Sequence, residues 1–102
     1  MENVSKENWK KLVAETDNAV VIDVRTSAEC QEGMQPNAIQ MDFLSLTDFL
    51  SAVNKLDKSK TYFLYCRSGN RSGQACMYMH DNGLKTYNLI GGMLSWDGDI
   101  VK

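Results

Sequence analysis

Two short apolar runs constrain the fold of this chain more than any other feature of its sequence. Residues 19–24 read Ala-Val-Val-Ile-Asp-Val, and residues 61–65 read Thr-Tyr-Phe-Leu-Tyr. Continuous runs of β-branched and aromatic residues are typical of strands buried on both faces, which occur in parallel sheets covered by helices. We therefore predict an α/β fold with a mainly parallel central sheet and helices on both faces, and we place residues 19–24 in a central strand.

Segments with helical spacing alternate with these runs, as this class of fold requires. Apolar residues recur at helical intervals within residues 5–16, 46–53 and 75–79, and the polar residues 27–32 allow one or two further turns. Ser45 and Asp48 resemble a capping box in front of the second of these helices. Residues 38–41 and 86–90 are predicted to form two more strands, and a short helix is predicted to run through Trp96.

The size and charge of the chain limit its functions. The sequence has 102 residues, of which 43% are hydrophobic, and it predicts a single domain spanning residues 1–102. With 11 basic and 13 acidic residues the net charge is -2, which gives no reason to expect nucleic acid or a membrane as a partner. The odd number of cysteines favours a reducing compartment, and no basic segment followed by an apolar run opens the sequence, so we expect a cytoplasmic protein. We also expect it to be a monomer.

The cysteines and the histidine do not form a binding pattern for metal. Cys30, Cys66 and Cys76 are an odd number without paired spacing, and His80 is the single histidine. This argues against a disulfide framework and a structural zinc site, and we expect neither a metal nor another cofactor. His80 is predicted to lie roughly 13 Å beyond Arg71 along one helix, too far to pair with Cys66. Cys76 is interpreted as a core residue on an apolar helix face, while the role of Cys30 stays open.

Cys66 directly follows the second apolar run and begins a polar loop that contains glycine. The loop reads Cys66-Arg67-Ser68-Gly69-Asn70-Arg71-Ser72 and leads into a predicted helix. Ligands of open α/β sheets bind at the carboxyl ends of the strands, and amides at a helix N-terminus favour an anion. With Arg67 and Arg71 as neighbours, Cys66 is expected to be a thiolate with a pKa of about 3.5–7.5. We interpret this loop as an anion-holding site, with Gly69 for close approach and serine hydroxyls as donors.

Four blocks of the sequence together resemble the rhodanese family. Residues 22–25 with Glu29 resemble its first signature, residues 33–39 its second, residues 66–72 its active loop, and residues 91–96 its closing block. The resemblance implies a rhodanese-like domain in which Cys66 takes a sulfane sulfur as a persulfide from a donor such as thiosulfate. A thiol, a protein or cyanide would accept that sulfur. The resemblance also implies that the loop amides stabilise the persulfide and that Arg67 and Arg71 hold the anionic donor.

Two groups of residues receive a different interpretation. The second block departs from the family pattern at three positions. Met34, Gln35 and Asn37 stand there in place of the usual histidine, isoleucine and glycine. These changes bear on the choice of donor and partner more than on the fold. Three charged residues of the first block are interpreted as a structural ion-pair set, because no sequence feature places them beside Cys66: Asp23, Arg25 and Glu29.

Three other functions stay open. Cysteine phosphatases and arsenate reductases also wrap an anion above a thiolate, but the related phosphatases place five residues between cysteine and arginine. Only four residues separate Cys66 from Arg71. A carrier that passes persulfide between proteins and a non-catalytic binding module would share the fold. The presence of Cys66 argues against the binding module, whereas nothing in the sequence separates the carrier from an enzyme acting on thiosulfate.

Overall fold

The computed structural model describes residues 1–102, and at its centre lies a five-stranded sheet in which all neighbouring strands are parallel. The strands are β1 (Glu2–Val4), β2 (Ala19–Asp23), β3 (Ile39–Gln40), β4 (Thr61–Tyr65) and β5 (Lys85–Leu89). Their order across the sheet is β1-β5-β4-β2-β3. The predicted α/β fold with a parallel sheet is confirmed.

The middle strand of the sheet is β4, and β2 is an interior strand between β4 and β3, as the prediction of a central strand at residues 19–24 requires. Every residue of β4 is buried, whereas Ala19, Val20 and Val21 of β2 are half-buried. The reason is the length of the edge strand β3, which pairs only with Ile22 and Asp23. The first three residues of β2 therefore have a strand neighbour on one side alone.

Helices cover both faces of the sheet, as predicted. They are α1 (Lys6–Glu15), α2 (Ser27–Gln31), α3 (Leu46–Val53), α4 (Asn70–Asp81) and a 3₁₀-helix (Gly92–Ser95). Successive side chains of a strand point to opposite faces, so Tyr62 and Leu64 pack in one core cluster with α3 and α4. Phe63 and Tyr65 pack in a second cluster against α1. None of these helices has the length and apolar character that a membrane-spanning segment needs.

The capping box predicted at Ser45 and Asp48 is wrong, and another one forms instead. Ser45 precedes α3, but its backbone (φ −87°, ψ 69°) is not extended as an N-cap requires, and its hydroxyl lies 3.4 Å from the Asp42 carboxylate. At the start of α2, Thr26 Oγ1 accepts from the Glu29 N–H and the Glu29 carboxylate accepts from the Thr26 N–H. This box fixes the direction of the Glu29 side chain.

The edge strand β1 is not predicted by the sequence, since it has three residues and two of them are exposed. It pairs with β5, so that Asn3 lies opposite Asn88 and Val4 opposite Leu89. Val4 is buried and joins the core cluster that contains Trp9. This pairing brings the start of the chain close to the carboxyl end of the sheet.

Candidate active site

Cys66 lies where the central strand β4 ends and the chain turns towards α4. The residue is only 1% exposed. Gly69 has φ 100°, and a Cβ at that position would lie 3.1 Å from the Leu89 carbonyl oxygen, so the tight loop needs glycine there. The Gly69 N–H donates to Cys66 Sγ at 3.1 Å, and the Ser72 hydroxyl oxygen lies 3.3 Å from the same sulfur. The loop thus surrounds the sulfur with hydrogen-bond donors.

These donors favour the charged form of the cysteine. Burial opposes ionisation, but hydrogen bonds from the Ser72 hydroxyl and from the amides of Ser72, Gly69 and Ser68 hold the pKa of Cys66 below its ordinary value. The direction agrees with the sequence-based expectation, and of the causes expected there the hydrogen-bond donors of the loop supply it rather than the two arginines. A lowered thiol pKa increases the fraction of the nucleophilic thiolate near neutral pH.

The two arginines of the loop have different surroundings. Arg71 donates from Nη1 and Nη2 to the two carboxylate oxygens of Glu29, each at 2.8 Å. The hydrogen bond from Arg71 is the main reason why the pKa of Glu29 falls to about 2. Arg67 is exposed, as are Ser68 and Asn70. Because a carboxylate already occupies the Arg71 fork, the contact of Arg71 with an anionic donor stays a prediction.

Glu29 is the residue that the sequence-based interpretation placed wrongly, since it was grouped there with Asp23 and Arg25. Those two residues form their own buried pair, with Arg25 Nη2 2.8 Å from Asp23 Oδ2, and Arg25 also donates to the Gly33 carbonyl at 2.6 Å. Glu29 instead connects α2 to the cysteine loop through Arg71. The capping-box spacing of Thr26 and Glu29 was the available signal for its orientation, but no local pattern points to its distant partner.

The other two thiols lie outside this set of donors. Burial is the main cause that raises the pKa of Cys30 to about 11 and that of Cys76 to about 12. Cys76 belongs to the core cluster under α4, which confirms its predicted structural place. His80 is exposed, and its Nδ1 lies 3.2 Å from the terminal nitrogen of Met1. Neither the histidine nor these cysteines share the environment of Cys66.

The segment after β5 forms backbone hydrogen bonds with the cysteine loop. The Met93 N–H donates to the Cys66 carbonyl at 2.9 Å, and the Leu94 N–H donates to the Arg67 carbonyl at 3.0 Å. Gly92 has φ 53°, and a Cβ there would lie 2.5 Å from the Cys66 carbonyl oxygen. The close approach of the two segments therefore requires glycine at position 92.

Asn88 is a polar residue of the site that the sequence does not single out. It is 4% exposed, and its Oδ1 lies 2.5 Å from the Ser72 hydroxyl oxygen. Its Nδ2 donates to the Gly69 carbonyl at 3.1 Å and to Asn3 Oδ1 at 2.9 Å. No short motif marks this residue. Its position on β5, which lies beside β4 in the sheet, is what brings it under the loop.

Comparisons with known proteins identify related chains of nearly the same length. The family model of the rhodanese-like domain matches residues 5–99. YtwF of Bacillus subtilis is 35% identical over 99 residues, which cover 97% of this chain and 93% of that protein. A protein of Allochromatium vinosum is 34% identical over 94 residues, covering 91% and 85% of the two chains. The word sulfurtransferase stands in the names of both.

Solved structures show the same architecture. The crystal structure of a rhodanese-like domain protein from Staphylococcus aureus has a TM-score of 0.82 and 28% sequence identity to this chain. The match covers 97% of this chain and 94% of that one. The two chains therefore share one fold over nearly their whole lengths.

Proposed function

This chain belongs to the rhodanese-like domain family, and we propose that it is a sulfurtransferase that carries a sulfane sulfur as a persulfide on Cys66. The environment of Cys66 Sγ carries this proposal. The sulfur lies at the end of the central strand, accepts a hydrogen bond from the Gly69 amide and has the Ser72 hydroxyl beside it. Its lowered pKa provides a nucleophile without a neighbouring base.

The proposed reaction consists of two displacements at sulfur. The Cys66 thiolate attacks the outer sulfur of a donor such as thiosulfate, a bond from Sγ to that sulfur forms, and the donor's S–S bond breaks. Sulfite leaves with the electron pair, and the negative charge comes to rest on the outer sulfur of the persulfide, where the loop amides stabilise it. An acceptor thiolate or cyanide then attacks the outer sulfur and leaves Cys66 again as a thiolate.

The size and charge of the loop support sulfur rather than phosphate as the transferred group. Only four residues separate Cys66 from Arg71, and the Arg71 guanidinium is paired with Glu29. A tetrahedral phosphate dianion needs more donors around it than a single sulfur atom does. These features make a cysteine phosphatase the weaker interpretation of the same loop.

Two activities measured on the same preparation test this proposal. We expect thiocyanate formation from thiosulfate and cyanide, and no comparable hydrolysis of an aryl phosphate. Cys66→Ser should abolish thiocyanate formation, while Cys30→Ser, at a buried thiol with a raised pKa, is the matched control and should retain it. Phosphatase turnover without thiocyanate formation would replace the proposal by its rival.

Transfer to a protein acceptor is a second candidate that the surface beside the loop favours. Leu94 is 66% exposed, and its amide binds the carbonyl of the exposed Arg67. Exposed apolar and arginine side chains next to a reactive sulfur suit contact with another protein. Slow turnover of thiosulfate together with rapid passage of sulfur from loaded Cys66 to a protein thiol would favour this carrier function. Fast turnover with thiosulfate and cyanide would favour the small-molecule enzyme.

A further inference from the structure

The Ser72 hydroxyl has one hydrogen and two acceptors within reach. Its oxygen lies 3.3 Å from Cys66 Sγ and 2.5 Å from Asn88 Oδ1. A hydroxyl donates one hydrogen bond at a time, so the two acceptors compete for the same hydrogen. These are the two acceptors that the Ser72 hydroxyl has in the structure. The residue is fully buried, which excludes bulk water as a third acceptor.

The orientation of the Asn88 amide decides which acceptor holds the hydrogen at rest. The Gly69 carbonyl can only accept, so the Asn88 group that faces it at 3.1 Å is the Nδ2 donor. Oδ1 then faces Ser72 and can only accept, which directs the Ser72 hydrogen to Asn88 while Cys66 is a neutral thiol. When Cys66 ionises, the hydroxyl rotates towards the thiolate, and a buried Asn88 oxygen loses its donor. Such a loss opposes ionisation.

We propose that Asn88 is a positioning residue that acts on Cys66 through Ser72, competing with the thiolate for the Ser72 hydrogen and regaining that hydrogen when the sulfur is loaded. This inference rests on the proposed persulfide chemistry. In the persulfide the charge lies on the outer sulfur, so Sγ no longer attracts the hydroxyl hydrogen. Asn88 therefore favours the loaded form of Cys66 over the free thiolate.

The remaining contacts of Asn88 have substitutes, which makes the effect on Ser72 separable. The Gly69 carbonyl also accepts from the Gly73 N–H at 3.1 Å, and Asn3 is exposed to water. Loss of the Asn88 amide thus leaves no other buried group without a partner. Asn88→Leu, a change of similar volume, should give the Ser72 hydrogen to Cys66 alone.

Other charges near Cys66 stay unchanged in this substitution. On α4 the charged group is Arg71, which interacts electrostatically with Cys66, while the Cys76 thiol, whose pKa is raised to about 12, stays neutral at pH 6. In the loop, Arg67 follows Cys66 and is exposed. Glu29 of α2 and Asp42 of the segment before α3 act on Arg71. The neighbouring strand β5 and the 3₁₀-helix contribute no titratable side chain beside the loop, because Asn88, Leu89 and residues 92–95 are uncharged. A change in Cys66 ionisation can therefore be traced to the Ser72 hydrogen.

Two measurements with opposite expected signs test the proposal. The first is the rate at which iodoacetamide alkylates Cys66 at pH 6, measured from the mass of the peptide that contains it. This rate should rise roughly three- to tenfold in Asn88→Leu, because more of the thiolate is present. The second is the equilibrium constant for persulfide formation, taken from the persulfide fraction at a fixed ratio of thiosulfate to sulfite and at a pH at which Cys66 is ionised in every variant. This constant should fall by a similar factor. Thr86→Val is the matched control. Thr86 lies on β5 like Asn88, and the substitution removes a buried hydrogen bond from its hydroxyl to the Cys76 carbonyl. Both quantities should stay as in the natural chain.

A second pair of variants separates positioning from folding. In a Ser72→Ala background, Asn88→Leu should change neither quantity further. Asn88→Asp supplies a stronger acceptor and a negative charge, so it should slow alkylation. The proposal is overturned if Asn88→Leu shifts both quantities in the same direction, leaves them unchanged, or has the same effect with and without Ser72. Absence of persulfide in the natural chain would instead refute the proposed function, and the alkylation rates would still decide the competition.

Discussion

Replacing Glu29 by glutamine removes the charge that holds Arg71 while keeping the length of the side chain. In the natural chain both carboxylate oxygens accept from Arg71 at 2.8 Å. A glutamine has only one side-chain oxygen to accept a hydrogen bond, so its amide nitrogen faces one Arg71 nitrogen. Both of these groups are donors, and no hydrogen bond can form between them. The bond to the Thr26 amide can persist through the remaining oxygen. The substitution thus isolates the link between α2 and the cysteine loop.

The pKa of Glu29 gives the size and the sign of the expected change. A fall from the ordinary 4.5 to about 2 corresponds to about 3.4 kcal/mol at 1.36 kcal/mol per unit. Since about a quarter of each side chain is exposed, solvent screening reduces this to about 1–2 kcal/mol. A carboxyl whose pKa is lower in the folded state stabilises it above pH 4.5, and this contribution is lost as the pH falls towards 2.

Urea unfolding between pH 7 and pH 3 measures this contribution. At pH 7 we expect the free energy of unfolding of Glu29→Gln to be about 1–2 kcal/mol lower than that of the natural chain. More than half of this difference should disappear by about pH 3. Glu32→Gln is the matched control, because it removes the same charge from an exposed residue next to α2. Equal stability of Glu29→Gln and Glu32→Gln at pH 7, or a difference that does not change with pH, would refute the reasoning.

Three further substitutions test the cysteine loop and the segment after β5 that packs against it. Ser72→Ala removes a hydrogen bond to the thiolate, so the pKa of Cys66 should rise and alkylation at pH 6 should slow by about tenfold; an unchanged pH profile would exclude Ser72 as a donor. Arg71→Lys keeps the charge but loses the planar fork, so kcat/KM for thiosulfate should fall about ten- to a hundredfold in a folded protein, and unchanged kinetics would show that Arg71 does not act on the donor. Gly92→Ala should lower the free energy of unfolding by more than Gly83→Ala, because both have positive φ but only position 92 places a Cβ 2.5 Å from a backbone atom, and equal losses would contradict this.

The parts of the fold that follow local patterns could be predicted from the sequence. The strand at residues 61–65 has only buried side chains, and the loop and helix that follow it depend on contacts between near neighbours. For this reason the sequence places Cys66 at the end of a strand and Gly69 in the loop before the next helix, where the structure also has them. Thr26 and Glu29 also have the spacing of a capping box, and they form one. Ser45 and Asp48 have the same spacing but form none, because the backbone of Ser45 is not extended.

Contacts between distant parts of the chain could not be predicted in this way. Arg71 and Glu29 are 42 residues apart, and they meet because α2 and α4 follow the carboxyl ends of the neighbouring strands β2 and β4. Asn88 reaches Ser72 only because β5 lies beside β4. The strand β1 is stabilised by its pairing with β5, and its own three residues have too little apolar surface to reveal it.

The intact mass of the protein after treatment with thiosulfate tests the central claim most directly. The natural chain and Cys30→Ser should each gain the mass of one sulfur atom, which cyanide should then remove, and Cys66→Ser should gain none. Of the three thiols, Cys66 is the one whose pKa is lowered, whereas the pKa values of Cys30 and Cys76 are raised. A sulfur that is still added to Cys66→Ser but is lost in Cys30→Ser would contradict the account.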